Sequence, residues 1–175
     1  YDIAEVVVAA DDGGDYEFAK EILPETRVLP PVSGYFGSGP GATRNRGIKA
    51  SSGEILAFLD ADDEWSENYL EELIPLVKKN GASFAPTAIF SHENKHIFTL
   101  GEGLQTLVPL DFGHWPGSFH PCLFRELSPG FSDGAGQDVF HAIEVLGRVG
   151  GAAPVAKNAR YKLHLQGDSV TANQQ

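Results

Sequence analysis

Asp60, Asp62 and Asp63 crowd three carboxylates into four residues. Like charges that close repel one another unless a cation sits among them. The cluster follows Glu54-Ile55-Leu56-Ala57-Phe58-Leu59, a short apolar run that reads as a buried strand. Ligands of open α/β sheets bind just beyond the carboxyl ends of such strands. An acidic turn that starts the next helix is the plainer reading of a lone acidic triplet. The preceding strand, with Trp65 rather than glycine following, shifts the balance toward a working site. A calcium loop fails on two counts. Trp65 occupies the sixth position, which needs glycine, and a strand rather than a helix lies upstream.

Four further groups could share that chemistry. Asp11-Asp12 precedes Gly13-Gly14, an ordinary turn composition, yet it too ends an apolar run, Ile3 to Ala10. Thr43-Arg44-Asn45-Arg46-Gly47 places two arginines early in a helix. In an acidic chain they could meet a diphosphate or pair with the acidic cluster. Asp138, after Gly136-Gln137, could cap a helix or act as a carboxylate base toward a hydroxyl. His164 reads as structural or exposed, or as a third ligand beside carboxylates for a manganese-like metal. Gly37 to Gly41 has no lysine and fails the phosphate-loop pattern. Trp115 could stack on a sugar ring or fill the core.

The elements that must position these groups alternate in type. Ile3 to Ala10 reads as a strand buried on both faces, Tyr16 to Leu23 as a short helix closed by Pro24, and Arg27 to Leu29 as a short strand. Pro40 suits the first turn of a helix over Ala42 to Ser52 that Gly53 ends. Ser66 reads as the N-cap of a helix through Asn80, with Glu71-Glu72 early, Lys78-Lys79 late and Pro75 predicting a kink or earlier stop. Ala82 to Phe90, Ile97 to Leu100, Ser118 to Phe124 and Ala152 to Ala156 are strand candidates. Gln137 to Leu146 is a helix with Val139, Phe140, Ile143 and Leu146 on one face and Gly147 at its end. Strands and helices in turn predict one α/β domain over residues 1–175, with a mixed, mostly parallel sheet flanked by helices.

Bulk properties narrow the function. The 175 residues carry a formal net charge of −11. Such a surface repels nucleic acid, whereas an anionic substrate can bind through an intervening divalent cation. Cys122 is the only cysteine, so an internal disulfide and a cysteine metal site are both excluded, and a reducing, cytoplasmic setting is expected. No apolar run approaches the ~20 residues that span a bilayer. The sequence has no methionine, not even at position 1, which predicts a natural start upstream.

Val6–Asp15, Ala42–Ile48, Gly53–Leu70, Gly136–His141 and His164–Thr171, in that order and spacing, resemble the family 2 glycosyltransferases of the GT-A fold. The resemblance implies a Rossmann-like sheet and a nucleotide-diphosphate donor, usually a UDP-sugar. Asp11 or Asp12 would meet the nucleotide base, with Arg44 and Asn45 beside its pocket. Asp60 would lie near the ribose and Asp62 on a Mn2+ or Mg2+ ion bridging the diphosphate. Asp138 would be the general base, and His164 would sit in a C-terminal loop over the diphosphate, close to the metal. Three positions depart from the pattern: Gln137 stands for the usual glutamate, Lys162 for arginine, and the family's first strand would lie before Tyr1.

The leading expectation is inverting transfer to a glycan or lipid-linked acceptor, the latter implying peripheral membrane association. A catalytically impaired nucleotide-sugar-binding or interaction module of the same fold is the alternative. A nucleotidyltransferase would need a basic glycine-rich loop near the amino end, which the sequence lacks.

Overall fold

The computed structural model describes residues 5–31, 37–113 and 119–165. Trp115 and the part of the C-terminal match beyond residue 165 lie outside them. The valine run forms β1 (Val6–Ala9), which helix α1 (Ala19–Ile22) connects to its parallel partner β2 (Thr26–Leu29). β1 is half-buried along its length rather than enclosed on both faces, because among the described residues it has one strand neighbour. Helix α2 (Pro40–Ala50) begins on Pro40, where a missing N–H costs nothing.

The strand before the acidic cluster is shorter than its apolar run predicts. β3 (Ile55–Leu56) pairs for two residues only, and Leu59 is 46% exposed. β4 (Glu64–Trp65) follows the acidic turn and leads into α3 (Tyr69–Asn80). Pro75 does not stop this helix, which continues to Asn80: it lies on the exposed side, while Tyr69, Leu73 and Val77, four residues apart, form a buried stripe opposite. The helix starts three residues after Ser66, whose hydroxyl donates to Asn68 Oδ1 at 2.8 Å and accepts from the Arg160 amide at 3.0 Å instead of capping a helix amide.

The predicted strand over Ala82 to Phe90 divides into β5 (Ala82–Ser83) and β6 (Thr87–Phe90), and β7 (His96–Leu100) returns antiparallel to β6. β8 (Thr106–Leu107) and β9 (Cys122–Phe124) come next, then α4 (Gln137–Arg148), β10 (Ala153–Pro154) and β11 (Tyr161–His164). β3, β9 and β5 make one sheet, and β4, β11, β6 and β7 another. Among the described strands only β1–β2 and β6–β11 pair in parallel. The architecture is mixed α/β as expected, with a smaller parallel share, because hairpin returns such as β6–β7 replace helical crossovers in the second half.

Two apolar clusters fill the space between sheets and helices. One centres on Phe84, Leu107, Phe119, Leu123 and Leu146, the other on Tyr69, Leu73, Val77, Cys122 and Tyr161. Helix α4 buries Gln137, His141, Ala142, Val145 and Leu146 and leaves Phe140 58% exposed, so its inner face is rotated from the purely apolar one the sequence suggests. Two polar side chains, Gln137 and His141, take inward positions, where Gln137 accepts from Arg44 and His141 stacks on Phe131.

Helix α2 is set against the loop before α4 with no spare room. A Cβ on Gly41 would stand 2.5 Å from the Ser132 carbonyl oxygen. Gly41→Ala therefore sets a helix-propensity gain of up to ~1 kcal/mol against an overpacking cost of ~1–3 kcal/mol. A backbone oxygen cannot swing aside, so the cost is expected to win. A lower denaturation midpoint for the variant is the expected result; an unchanged or higher one overturns this account.

Candidate active site

Asp60 to Asp63 close a turn in which the Asp63 amide donates to the Asp60 carbonyl at 3.1 Å. Arg44, reaching from α2, donates from Nη2 to both Asp60 carboxylate oxygens at 2.5 and 2.7 Å. Its Nη1 donates to Gln137 Oε1 at 3.1 Å, and its guanidinium lies 5.2 Å from the centre of the Phe131 ring. One cation thus joins the acidic turn to the first residue of α4. With side-chain exposures of 13% and 35% the pair is partly shielded, which makes it stronger than an exposed surface bridge. Arg44 thus pairs with the acidic cluster, one of the two partners the sequence left open for it.

Asn45 is fully engaged in building the site. Its Nδ2 donates to the Phe131 carbonyl and its Oδ1 accepts from the Phe131 amide, both at 2.8 Å, so it clamps that loop to α2. Arg46 donates to the carbonyls of Ala10 and Pro30, at the carboxyl ends of β1 and β2.

The three turn carboxylates have different surroundings. Asp60 meets Arg44, Asp62 is exposed, and Asp63 points inward. Asp63 Oδ2 accepts from the Tyr161 hydroxyl at 2.8 Å and Oδ1 from the His164 amide at 2.9 Å. The Tyr161 oxygen in turn accepts from the Asp60 amide at 3.1 Å. Burial, with the Asp62 and Asp60 charges in addition, pushes the Asp63 carboxyl up to about 6 against the opposing pull of those hydrogen bonds.

His164 ends strand β11 rather than lying in a loop, because Tyr161–His164 pairs in register with Thr87–Phe90. Its ring stacks on Phe90 at 5.4 Å, and its Nε2 stands 3.5 Å from Glu64 Oε1. That nitrogen is buried and has no hydrogen-bond partner. Lys162, one of the departures from the family pattern, pairs with Glu64 Oε2 at 3.2 Å.

Asp11 and Asp12 separate in role. Asp11 accepts from the amides of Ser38 at 3.0 Å and Gly39 at 2.9 Å and from the Ser38 hydroxyl, pinning the start of α2 to the end of β1. Burial works to raise its pKa, but these bonds bring it below the ordinary value. Asp12 accepts from the Tyr16 hydroxyl at 2.7 Å and the Gly14 amide at 2.9 Å, which lowers its pKa on the exposed side of the same turn.

Asp138 lies in the first turn of α4, beside Gln137, and its Oδ1 accepts from the Val139 amide at 2.9 Å. It does not cap the helix, whose N-cap is Gly136. Two histidines that the sequence did not single out feel its charge. His120 is 5% exposed and stacks on Tyr161 at 4.4 Å. Burial holds its pKa down, while Asp60 and Asp138 raise it and Arg44 lowers it, so the imidazole lies among all three. His141 stacks on Phe131 at 4.0 Å. Neither histidine has a local sequence signal; Tyr161 could have been suspected only from its place three residues before His164.

The raised Asp63 pKa has a definite sign. The folded state holds the proton up to about 6, the unfolded chain only to 3.8, so this group favours folding at low pH and the benefit is lost as pH rises through about 6. Asp63→Asn is expected to remove that component: between about pH 4 and pH 7 wild-type stability should fall relative to the variant's. Denaturant midpoints of both proteins at the two pH values test this, and parallel changes overturn it.

The sequence profile described as Glycosyl transferase family 2 matches residues 1–112. An Escherichia coli protein named UDP-Glc:alpha-D-GlcNAc-diphosphoundecaprenol beta-1,3-glucosyltransferase WfgD is 34% identical over 80 residues, 46% of this chain and 32% of that protein. The chain thus matches about a third of that relative's length. The S. aureus TarS 1-349 crystal structure superposes with a TM-score of 0.65 at 16% identity, covering 91% of this chain and 51% of that one. A crystal structure of GalNAc-T7 with UDP, GalNAc and Mn2+ gives 0.62 at 18% identity, covering 95% of this chain and 39% of that one. A profile matched over more than half the chain, on this mixed α/β architecture, means that the protein belongs to glycosyl transferase family 2 and has the GT-A fold.

Proposed function

We propose that this chain carries the donor site and catalytic base of an inverting, metal-dependent glycosyltransferase. It would move a sugar from a nucleotide diphosphate, UDP-sugars foremost, to a hydroxyl of a glycan or lipid-linked acceptor. The observation that carries this reading is Arg44, which ties Asp60 of the acidic turn to Gln137, next to Asp138. Donor-side carboxylates and a base beside one cation suit a displacement at a sugar carbon. The names of WfgD and the GalNAc-T7 complex support a UDP-linked donor.

The residues suit a divalent cation that arrives with its ligand. Among the described residues no three His, Cys, Asp or Glu converge as a ready-made cage. The exposed carboxylate of Asp62 and the buried Nε2 of His164, 3.5 Å from Glu64 Oε1, are the donors that substrate phosphates would have to complete. When bound, such a cation supplies a Lewis acid for the leaving diphosphate.

The chain's own groups supply the rest. Asp138 accepts the proton of the acceptor hydroxyl as its oxygen bonds to the anomeric carbon. The bond to the diphosphate breaks on the opposite side, and a single displacement inverts that centre. Arg44 holds Asp60 in a fixed orientation for the ribose, while Asp11 and Asp12 shape the turn that would face the base. Among the described residues no helix is long and apolar enough to cross a membrane; a lipid-linked acceptor would be met at the membrane face.

Calorimetry with UDP and Mn2+ tests the donor site. Binding should need the cation, and Asp62→Asn or His164→Ala should weaken it by about tenfold or more; no binding by the intact chain overturns the reading. With a UDP-sugar and acceptor supplied, Asp138→Asn should reduce turnover by ~10²–10⁴ and leave UDP affinity unchanged. Undiminished turnover would remove Asp138 from the base role, and UDP binding without transfer to any acceptor would favour the impaired-module alternative.

A further inference from the structure

Tyr161 touches the acidic turn at both ends, yet no step of the transfer proposed above uses it. Its hydroxyl donates to Asp63 Oδ2 at 2.8 Å and accepts from the Asp60 amide at 3.1 Å. The ring is 1% exposed, with the His120 imidazole stacked on it at 4.4 Å and the Tyr69 ring edge-on at 6.5 Å. Tyr69 in turn stacks on Trp65 at 4.7 Å, and Trp65 pairs with Tyr161 across β4 and β11. Neighbouring rings and strand register therefore fix where the phenol oxygen stands.

Packing alone would be served by phenylalanine, because a buried hydroxyl is costly unless it is hydrogen-bonded. Here the oxygen spends both its donor and an acceptor site on the turn. Burial, with the Asp60 and Asp63 charges in addition, raises the phenol's pKa, so the oxygen keeps the proton that it donates to Asp63. The turn needs such a tie. β3 ends at Leu56, and β4 begins only at Glu64. Arg44 holds Asp60 by charge, and an arriving diphosphate or cation competes for one or other of those charges. A neutral, buried hydroxyl offers neither of them a charge to draw on. It can hold Asp60 and Asp63 while Asp62 stays exposed.

We propose that Tyr161 is a positioning residue for the donor site: its hydroxyl fixes the Asp60–Asp63 turn so that Asp62 is preset for a cation carried by a nucleoside diphosphate. The donor part rests on the transfer reading above; the tie to the turn does not. Tyr161→Phe keeps the ring and its stack and removes only the oxygen. Amide hydrogen exchange of the unliganded chain reads the tie: in this variant the Asp60 amide should exchange about tenfold faster, with the α3 amides unchanged. Calorimetry with UDP and Mn2+ reads the positioning: affinity should fall about tenfold, whereas Tyr69→Phe, which loses a phenol oxygen one ring away, should bind as wild type does. With a UDP-sugar and acceptor supplied, the donor KM of Tyr161→Phe should rise and the acceptor KM should not. Unchanged exchange at Asp60 overturns the tie, and UDP affinity equal to wild type overturns the positioning role. No UDP binding by wild type, with Asp60 exchange responding as expected, overturns the transfer reading and the donor part with it while the tie stands.

Discussion

Arg44 is the point at which a single charge decides where three distant segments meet. It leaves α2, takes the Asp60 carboxylate with one nitrogen and Gln137 with another, and covers the Phe131 ring. Without it, Asp60 would stand as one of three adjacent anions, and the turn would repel itself open. Asn45, the next residue, clamps the Phe131 backbone, and Gly41 lets the same helix approach Ser132. One helix turn therefore sets the distance between the acidic turn and the start of α4.

The acidic turn is held from its other side by Tyr161 and the end of β11. A tyrosine hydroxyl that donates to Asp63 and accepts from the Asp60 amide fixes both ends of the turn at once. This explains why the strand before the cluster is so short. After Leu56 the chain leaves its sheet partner and is held by side chains instead. Asp62, free of this scaffold's demands, keeps the exposed position that a ligand-carried cation would need.

Two buried histidines lie between the acidic turn and the start of α4. His120 and His141 lie where the charges of Arg44 and Asp138 are both felt, and both are held below their ordinary pKa chiefly by burial. Neutral imidazoles there add hydrogen-bonding capacity without adding charge to a cluster that already holds Arg44, Asp60 and Asp138.

Much of this was legible in residue order alone. The D-x-D cluster after an apolar run, the helix starting at Pro40, and the charge order of α3 all follow from local rules that depend on a few neighbours, and the spacing of these segments sufficed to suggest the family. Tertiary structure decided the rest, because those choices are non-local. That Arg44 reaches both Asp60 and Gln137, which of Asp62 and Asp63 turns inward, and which face of α4 is buried depend on partners up to about a hundred residues away. Asp63 illustrates the limit: in the sequence it is the third acid of a turn, and only Tyr161, 98 residues on, makes it the half-buried anchor that holds the turn to the sheet.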